Sequence, residues 1–251
     1  MTELLFREDA YLKVATATVV RIDAHSGGKE PGLRAASAAP MDTMGVELDR
    51  TLFYPLGGGQ PGDTGFFIRA GGERIPVTDT RKGPTPDSVL HTVSAPLEVG
   101  ETVRLEIDWA RRYALMRLHT ALHVMSCVVT APVTGGNIAP DKGRLDFDID
   151  MSLLDPARIE SETNALIARA VDTETVWITD EELDARPELV KTMSVQPPRG
   201  AGRIRLLRIA GIDLQPCGGT HVRNIGEIGA IRVLKIKNEG KKNKRVEIIL
   251  V

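Results

Sequence analysis

Two pairs of side chains, each four residues apart, set the hardest constraint on how this chain can fold. His119 and His123 stand in RLHTALH, and roughly a hundred residues later Cys217 and His221 stand in PCGGTH. At 3.6 residues per turn, positions i and i+4 share a helix face, so the first two imidazoles can converge on one ion. The second pair sits in a Gly-rich turn, where Gly218 and Gly219 let the backbone fold tightly enough to aim a thiolate and an imidazole the same way. A helix and a distant turn must then meet at one point. Three imidazoles and a thiolate suit a transition metal, and the mixed nitrogen and sulfur donors favour Zn2+. Either pair alone is a common pattern, but together they take three of the five histidines and one of the two cysteines in 251 residues. A zinc protease does not fit, because Thr120, Ala121 and Leu122 put no glutamate between the histidines to serve as general base.

The composition allows one large domain or two smaller ones, with 42% apolar residues to build a core. Two cysteines cannot make a disulfide framework, and a metal-bound thiolate suits a reducing interior. The N-terminal MTELLFRED carries charges where a secretion signal needs an apolar run, and no stretch reaches the ~20 apolar residues of a membrane span. These features predict a soluble, cytoplasmic protein with no membrane partner. A net charge of −2 speaks against indiscriminate coating of nucleic acid while leaving room for a local basic patch. Nothing in the sequence sets the oligomeric state.

Short strands fill the first hundred residues. Tyr11 to Arg21, Gly45 to Leu52, Gly65 to Arg69, Arg74 to Thr80 and Val89 to Ser94 are rich in β-branched or aromatic residues and are bounded by Gly, Pro or Asp. The small-residue stretch between residues 25 and 43 reads as an extended inserted loop. Thr102 to Asp108 alternates and predicts a strand leading into the second half. A helical period follows, capped by Asp108, with Ala114, Leu118, Ala121, Met125 and Val128 as its buried stripe and Arg112, Met116, His119 and His123 on the adjacent one. It ends before Pro132. A second helix opens at Asp155-Pro156 with Ile159, Ala165, Leu166 and Ala170 apolar. Later strands are Thr175 to Thr179, Arg203 to Ile209, Ala230 to Lys237 and Arg245 to Val251, the last two a hairpin. An all-β first part, which carries a Gly-rich motif, followed by a mixed α/β part makes the fold class α+β and implies two domains that meet near residues 95–106.

That Gly-rich motif reads LGGGQPGDTG from Leu56. Glycine at this density costs entropy on ordering, so its backbone must serve a close approach, with Gln60 and Asp63 offering polar contacts. It lacks the Lys-Ser/Thr ending of a phosphate loop. Taken in order, FYPLGGGQPGDTG, RLHTALH, VTGGNIAPDKGRLDF and DLQPCGGTHVRNIGEIG resemble the editing domain of alanyl-tRNA synthetases and its free-standing relatives. Over almost the whole chain, from Tyr11 to Val251, the sequence is similar to the medium-length alanyl-tRNA editing proteins of the AlaX family. Beyond Val251 nothing matches the extra C-terminal tRNA-binding domain of longer relatives.

The resemblance implies a small β-barrel with the Gly-rich motif over residues 1–100 and a mixed α/β two-layer editing domain with the zinc site over 101–251, and a trans-editing hydrolase that deacylates mischarged tRNA(Ala), chiefly the seryl and also the glycyl ester, with Zn2+ as cofactor. It implies His119, His123, Cys217 and His221 as zinc ligands, Thr134 as the sensor of the serine hydroxyl and Leu122 as a pocket wall. Gly136, Asn137 and Gly218 are the further residues expected at the substrate. Gly58, Gly59, Gln60, Asp63, Arg112, Lys241 and Lys242 are expected to contact tRNA, within basic groups at Arg111, Arg112 and Arg117 and around the final hairpin. Departures are Leu56 where an acidic residue is often found, Asn137 where serine is frequent, and the inserted loop. An apolar synthetic site cannot strongly reject an added hydroxyl, so a second sieve is needed, and it must spare the smaller alanine by leaving a buried polar group unpaired at a cost of roughly 1–3 kcal/mol. Four protein ligands resemble a closed structural zinc site, whereas zinc hydroxide chemistry needs an open position, so zinc either activates water or positions the ester. No Ser-His-Asp triad is evident, and Cys127 reads as a packed thiol. Two other readings stand beside the hydrolase: a zinc-stabilised tRNA-binding module without hydrolysis, and editing of another ester such as seryl-tRNA(Thr).

Overall fold

The computed structural model describes residues 2–25, 43–85, 87–191 and 203–251. The chain divides into two compact units, Met1–Gly57 with Pro61–Arg112, and Gly58–Gln60 with Tyr113–Val251. Residues 26–42, which make up nearly all of the expected inserted loop, lie outside the described residues.

In the first unit six strands close into a barrel: β1 (Val14–His25), β2 (Thr43–Leu48), β3 (Gly65–Ile68), β4 (Arg74–Lys82), β5 (Val89–Val93) and β6 (Thr102–Ile107). Their order is β1-β2-β5-β4-β3-β6, with β6 returning to β1 and every neighbouring pair antiparallel. Closure leaves none of these strands as a free edge. Period-two alternation explains β6, where Val103, Leu105 and Ile107 are buried and Thr102 and Arg104 are exposed. This strand leads on into the second half as expected and also completes the barrel, its inward face packing with Ala17 and Phe67, and the compact unit runs to Arg112.

His91 and the Arg112–Asp63 pair are among the polar groups enclosed in this unit. His91 lies between the Phe53 and Phe67 rings, 5.4 and 5.3 Å from their centres. Its Nδ1 faces the Val46 carbonyl at 2.9 Å, and a carbonyl only accepts, so Nδ1 carries the proton and Nε2 accepts from the Thr51 hydroxyl at 2.8 Å. Burial holds its pKa down to about 4, against an ordinary 6.5. Arg112, fully buried, pairs with the carboxylate of Asp63 and also donates to the carbonyls of Ala10 at 2.8 Å and Leu52 at 2.7 Å. Asp63 in turn accepts from the Tyr54 backbone N–H at 2.6 Å.

The second unit is mixed α/β. Helix α1 (Trp109–Val128) begins where Asp108 accepts from the Arg111 N–H at 3.1 Å, and Leu118, Ala121 and Met125 form the centre of its fully buried stripe. Strands β7 (Val133–Ile138) and β8 (Gly143–Phe147) follow, then α2 (Pro156–Ile167), β9 (Thr173–Ile178), α3 (Asp180–Asp184), β10 (Ile204–Ile209), β11 (Asp213–Pro216), β12 (Ile231–Asn238) and β13 (Lys244–Leu250). They form a four-stranded sheet, β12-β13-β8-β7, and a three-stranded one, β9-β10-β11, all antiparallel. The α2 helix buries Ile159, Thr163 and Ile167 at strict four-residue spacing, whereas the expected Ala165 and Ala170 are exposed.

Gly58–Gln60 belongs to this second unit although it comes from the middle of the first in sequence. The Gly59 carbonyl accepts from the Ile138 N–H at 2.9 Å, so the segment covers the outer edge of β7. Gly59 has φ +80, and a Cβ there would stand 2.6 Å from the Gly136 carbonyl oxygen, so no other residue fits. This is the close backbone approach that the glycine density implied. Among the described residues no helix is long and apolar enough to cross a membrane.

Candidate metal centre

Helix α1 places His119 and His123 on one face, and the turn after β11 brings Cys217 and His221 to them. One nitrogen from each ring and the Cys217 sulfur all lie within 4.8 Å of one another. Cys217 Sγ stands 3.5 Å from His119 Nε2 and 3.1 Å from His221 Nε2. Tetrahedral zinc, with bonds of ~2.3 Å to sulfur and ~2.05 Å to nitrogen, calls for sulfur–nitrogen separations of roughly 3.5 Å. The donor set fits such an ion in both spacing and chemistry.

Each imidazole is held from behind by an acceptor. His119 Nδ1 is 2.8 Å from Gln60 Oε1, an oxygen that also accepts the Thr220 N–H at 3.2 Å, so the ring must be the donor. The Gln60 amide is fixed further by donating to Thr220 Oγ1 at 2.8 Å. His221 Nδ1 lies 3.2 Å from Thr120 Oγ1, whose own proton goes to the Met116 carbonyl, so here too the ring donates. His123 Nδ1 faces Asp213 Oδ2 at 3.4 Å, and the other oxygen of that carboxylate binds Lys191 Nζ at 2.6 Å. Three rings thus spend Nδ1 on protein acceptors and leave Nε2 for a common centre, an outer shell typical of metal-binding histidines.

The electrostatics couple these groups closely. Burial alone would raise the Cys217 thiol pKa, but the imidazoles of His119, His221 and His123 outweigh it and hold the group well below the usual thiol range. Desolvation lowers His221 to about 3. His123 resists the same burial and is raised to about 9 by Cys217 and Asp213, while Asp213, despite burial, is held near 2 by His123 and Lys191. The three histidines are buried, with Cys217 half-buried and Gly218 exposed, so the cluster opens to solvent on the Cys217–Gly218 side.

One glycine of the turn is obligatory. A Cβ on Gly219 would lie 2.2 Å from His119 Cε1, whereas one on Gly218 would meet nothing within 4 Å. The Arg205 guanidinium braces the turn, its Nη1 donating to the carbonyls of Cys217 and Gly219 at 2.9 Å each.

The other expected site residues separate into two groups. Leu122 is buried against Gly143 of β8, Thr134 is half-buried with its hydroxyl donating to Asn243 Oδ1 at 2.6 Å, and Gly136 and Asn137 are exposed on β7. Gly58, Lys241 and Lys242 are exposed and Gly59 is half-buried. Gln60, Asp63 and Arg112 were expected to touch tRNA and do not present themselves to it: all three are at most 1% exposed, Gln60 behind His119 and the other two paired with each other. The basic groups shrink likewise. Arg117 donates to the Ile228 carbonyl at 3.1 Å, Arg111 to that of Gly62 at 3.1 Å, and the buried Lys244 to that of Gly240 at 2.6 Å. Asp213, Gln215 and Thr120 were missed. The first two could have been found, since Asp213, Gln215 and Cys217 alternate along DLQPC and so share a strand face.

A family model described as "Threonyl and Alanyl tRNA synthetase second additional domain" matches residues 204–247, and one described as "tRNA synthetases class II (A)" matches residues 19–111. The chain is similar to "Alanyl-tRNA editing protein AlaX-M" of Saccharolobus solfataricus, 37% identical over 98% of this chain and 98% of the relative. The protein of that name in Methanosarcina barkeri is 34% identical over the full length of both. "Alanyl-tRNA editing protein AlaX-L" of Pyrococcus horikoshii is 32% identical over 98% of this chain and 57% of the relative.

Proposed function

The chain belongs to the AlaX family of alanyl-tRNA editing proteins, and we propose that it is a zinc-dependent trans-editing hydrolase that releases serine, and also glycine, from mischarged tRNA(Ala) in the cytoplasm. The observation that carries the zinc dependence is the wiring of the cluster: three imidazoles bound from behind through Nδ1, with Nε2 and a thiolate aimed at one point. In the reaction water adds to the carbonyl carbon, the bond from that carbon to the ribose oxygen breaks, and the oxygen leaves protonated. His119, His123, Cys217 and His221 would hold a Zn2+ ion, which would supply a concentrated positive charge to polarise the ester. Gln60, Asp213 and Thr120 keep the rings in the tautomer and orientation that such binding requires. Arg205 holds the turn carbonyls so that Cys217 stays beneath the open side of the cluster.

Selection of the amino acid falls to Thr134 and Leu122. Thr134 gives its proton to Asn243, which leaves the oxygen as an acceptor, and the serine hydroxyl is the complementary donor. Leu122 supplies an apolar wall, and Gly136, Asn137 and Gly218 complete the substrate side. On the tRNA side the exposed Gly58, Lys241 and Lys242 support backbone contact that weakens steeply with salt. The zinc-loaded full chain is expected to deacylate seryl-tRNA(Ala), to cleave the glycyl ester, to spare the alanyl ester, and to lose activity on Cys217→Ala. Zinc-replete protein that binds tRNA(Ala) without cleaving any ester would instead be a binding module. Cleavage of seryl-tRNA(Thr) but not seryl-tRNA(Ala) would move the chain to the threonine branch.

A further inference from the structure

The three-stranded sheet has one face that builds the metal centre and one that does not. Ile204, Leu206, Val176, Ile178 and Leu214 cluster with Leu183 and Leu189 on the far face. Alternation therefore puts Asp213, Gln215 and Cys217 together on the near face, with Arg205 of β10 and Thr175 and Trp177 of β9. Register confirms the row: Trp177 lies directly opposite Arg205, and the Cys217 N–H donates to the Arg205 carbonyl at 3.1 Å. Directly opposed residues of an antiparallel pair project from the same face. A straight line across the sheet thus runs from Trp177 through Arg205 to Cys217, which sits at the side where the cluster opens.

Trp177 is anomalous in this row. It is 41% exposed at the outer strand, while the other tryptophan, Trp109, is half-buried against Tyr11 and carries Lys13 Nζ 4.5 Å above its ring. Exposing an indole costs hydrophobic free energy that a polar residue at this position would avoid. At ~4.8 Å per strand, two strand steps put Trp177 about 10 Å from Cys217. Stacked nucleotides rise ~3.4 Å each, so this distance equals roughly three of them. An amino-acid ester seated at the metal would therefore carry the last unpaired bases of its tRNA across this row.

We propose that Trp177 is the stacking platform for a base of the single-stranded 3′ end of the tRNA, holding the acceptor strand so that its terminal ester reaches the cluster. Aromatic side chains serve this purpose for any unpaired base, because every base has a π-face, and the flanking Arg205 adds positive charge close to the strand. Trp177 is by this account a substrate-binding residue that does not take part in bond cleavage. The assignment rests on the hydrolase reading above and is tested so that the two can fail separately.

In the full-length Trp109→Phe protein, Trp177 is the remaining indole, and its fluorescence is expected to be quenched on titration with uncharged tRNA(Ala) and with a short single strand of the same 3′ sequence. A blunt duplex is expected to leave it unchanged. With seryl-tRNA(Ala), Trp177→Ala is expected to raise KM roughly 10- to 100-fold with kcat nearly constant, from the ~1–3 kcal/mol that one stacked base contributes. Trp177→Phe is expected to restore most of the loss. Unchanged fluorescence on saturating tRNA, an unchanged KM in Trp177→Ala, or a fall in kcat alone would each overturn the assignment while leaving the hydrolase intact. Wild-type protein that fails to cleave the seryl ester removes the hydrolase reading instead, and the quenching experiment still decides whether Trp177 meets the strand.

Discussion

At the scale of single residues, the geometry of the His119–His123–Cys217–His221 cluster depends on atoms that lie outside it. Gly219 is an example, since its missing Cβ is what lets His119 occupy its position. Gly219→Ala is expected to displace that ring and lower zinc affinity by at least the 10- to 100-fold typical of disturbed outer-shell contacts, whereas Gly218→Ala should bind zinc like the wild type. Zinc content after dialysis against a competing chelator reads both. Gln60→Met removes the acceptor behind His119 at almost constant volume, and a 10- to 100-fold weaker zinc affinity is expected with an unchanged fold by circular dichroism. An unaltered affinity would leave the Gln60–His119 contact without a functional role. That the four side chains of the cluster come together was legible from spacing, because i and i+4 on a helix and a tight glycine turn are local geometry. Gln60 was legible as important but not as buried, since its partners Thr220 and His119 are far away in sequence.

At the scale of elements, what could be read from the sequence follows local signal strength. Helix α1 was predicted from its Asp108 cap and its apolar period, and the barrel strands from β-branched alternation. Strands β7 and β8 were not assigned, because VTGGNI and GRLDF carry glycines that argue against strands locally and are tolerated only where Gly59 and Leu122 press close. The four-residue β11, ending in proline, was too short to register. Arg112 was placed on the correct face of α1, yet its charge suggested surface, and only the Asp63 carboxylate and two carbonyls explain a guanidinium with no exposure. Breaking that pair leaves a buried charge, so Arg112→Met alone should cost about 3–5 kcal/mol. The double variant Asp63→Leu, Arg112→Met should cost less than the two single changes added together. Urea denaturation of the three variants measures this, and strict additivity would show that the two side chains act independently.

For the whole molecule, pH couples to stability through His91. The unfolded chain takes up a proton on this ring near pH 6.5 and the folded barrel only near 4, so between those values the unfolded form binds more protons. Stability is fully present above that window and falls as pH drops through it, by about 3 kcal/mol in total. His91→Gln cannot titrate, and the difference between its stability–pH curve and that of the wild type should contain this slope, free of any contribution from the metal ligands. Parallel curves would remove His91 as the source. Finally, the strip Gly58–Gln60 has a bearing on dissection of the gene. An excised fragment starting at residue 101 would part with its own splint along β7, leaving unsatisfied amides at a bare margin. Such a fragment is expected to self-associate by size-exclusion chromatography and to hold zinc poorly, and a peptide carrying Gly58–Gln60 added back to it should lessen both defects.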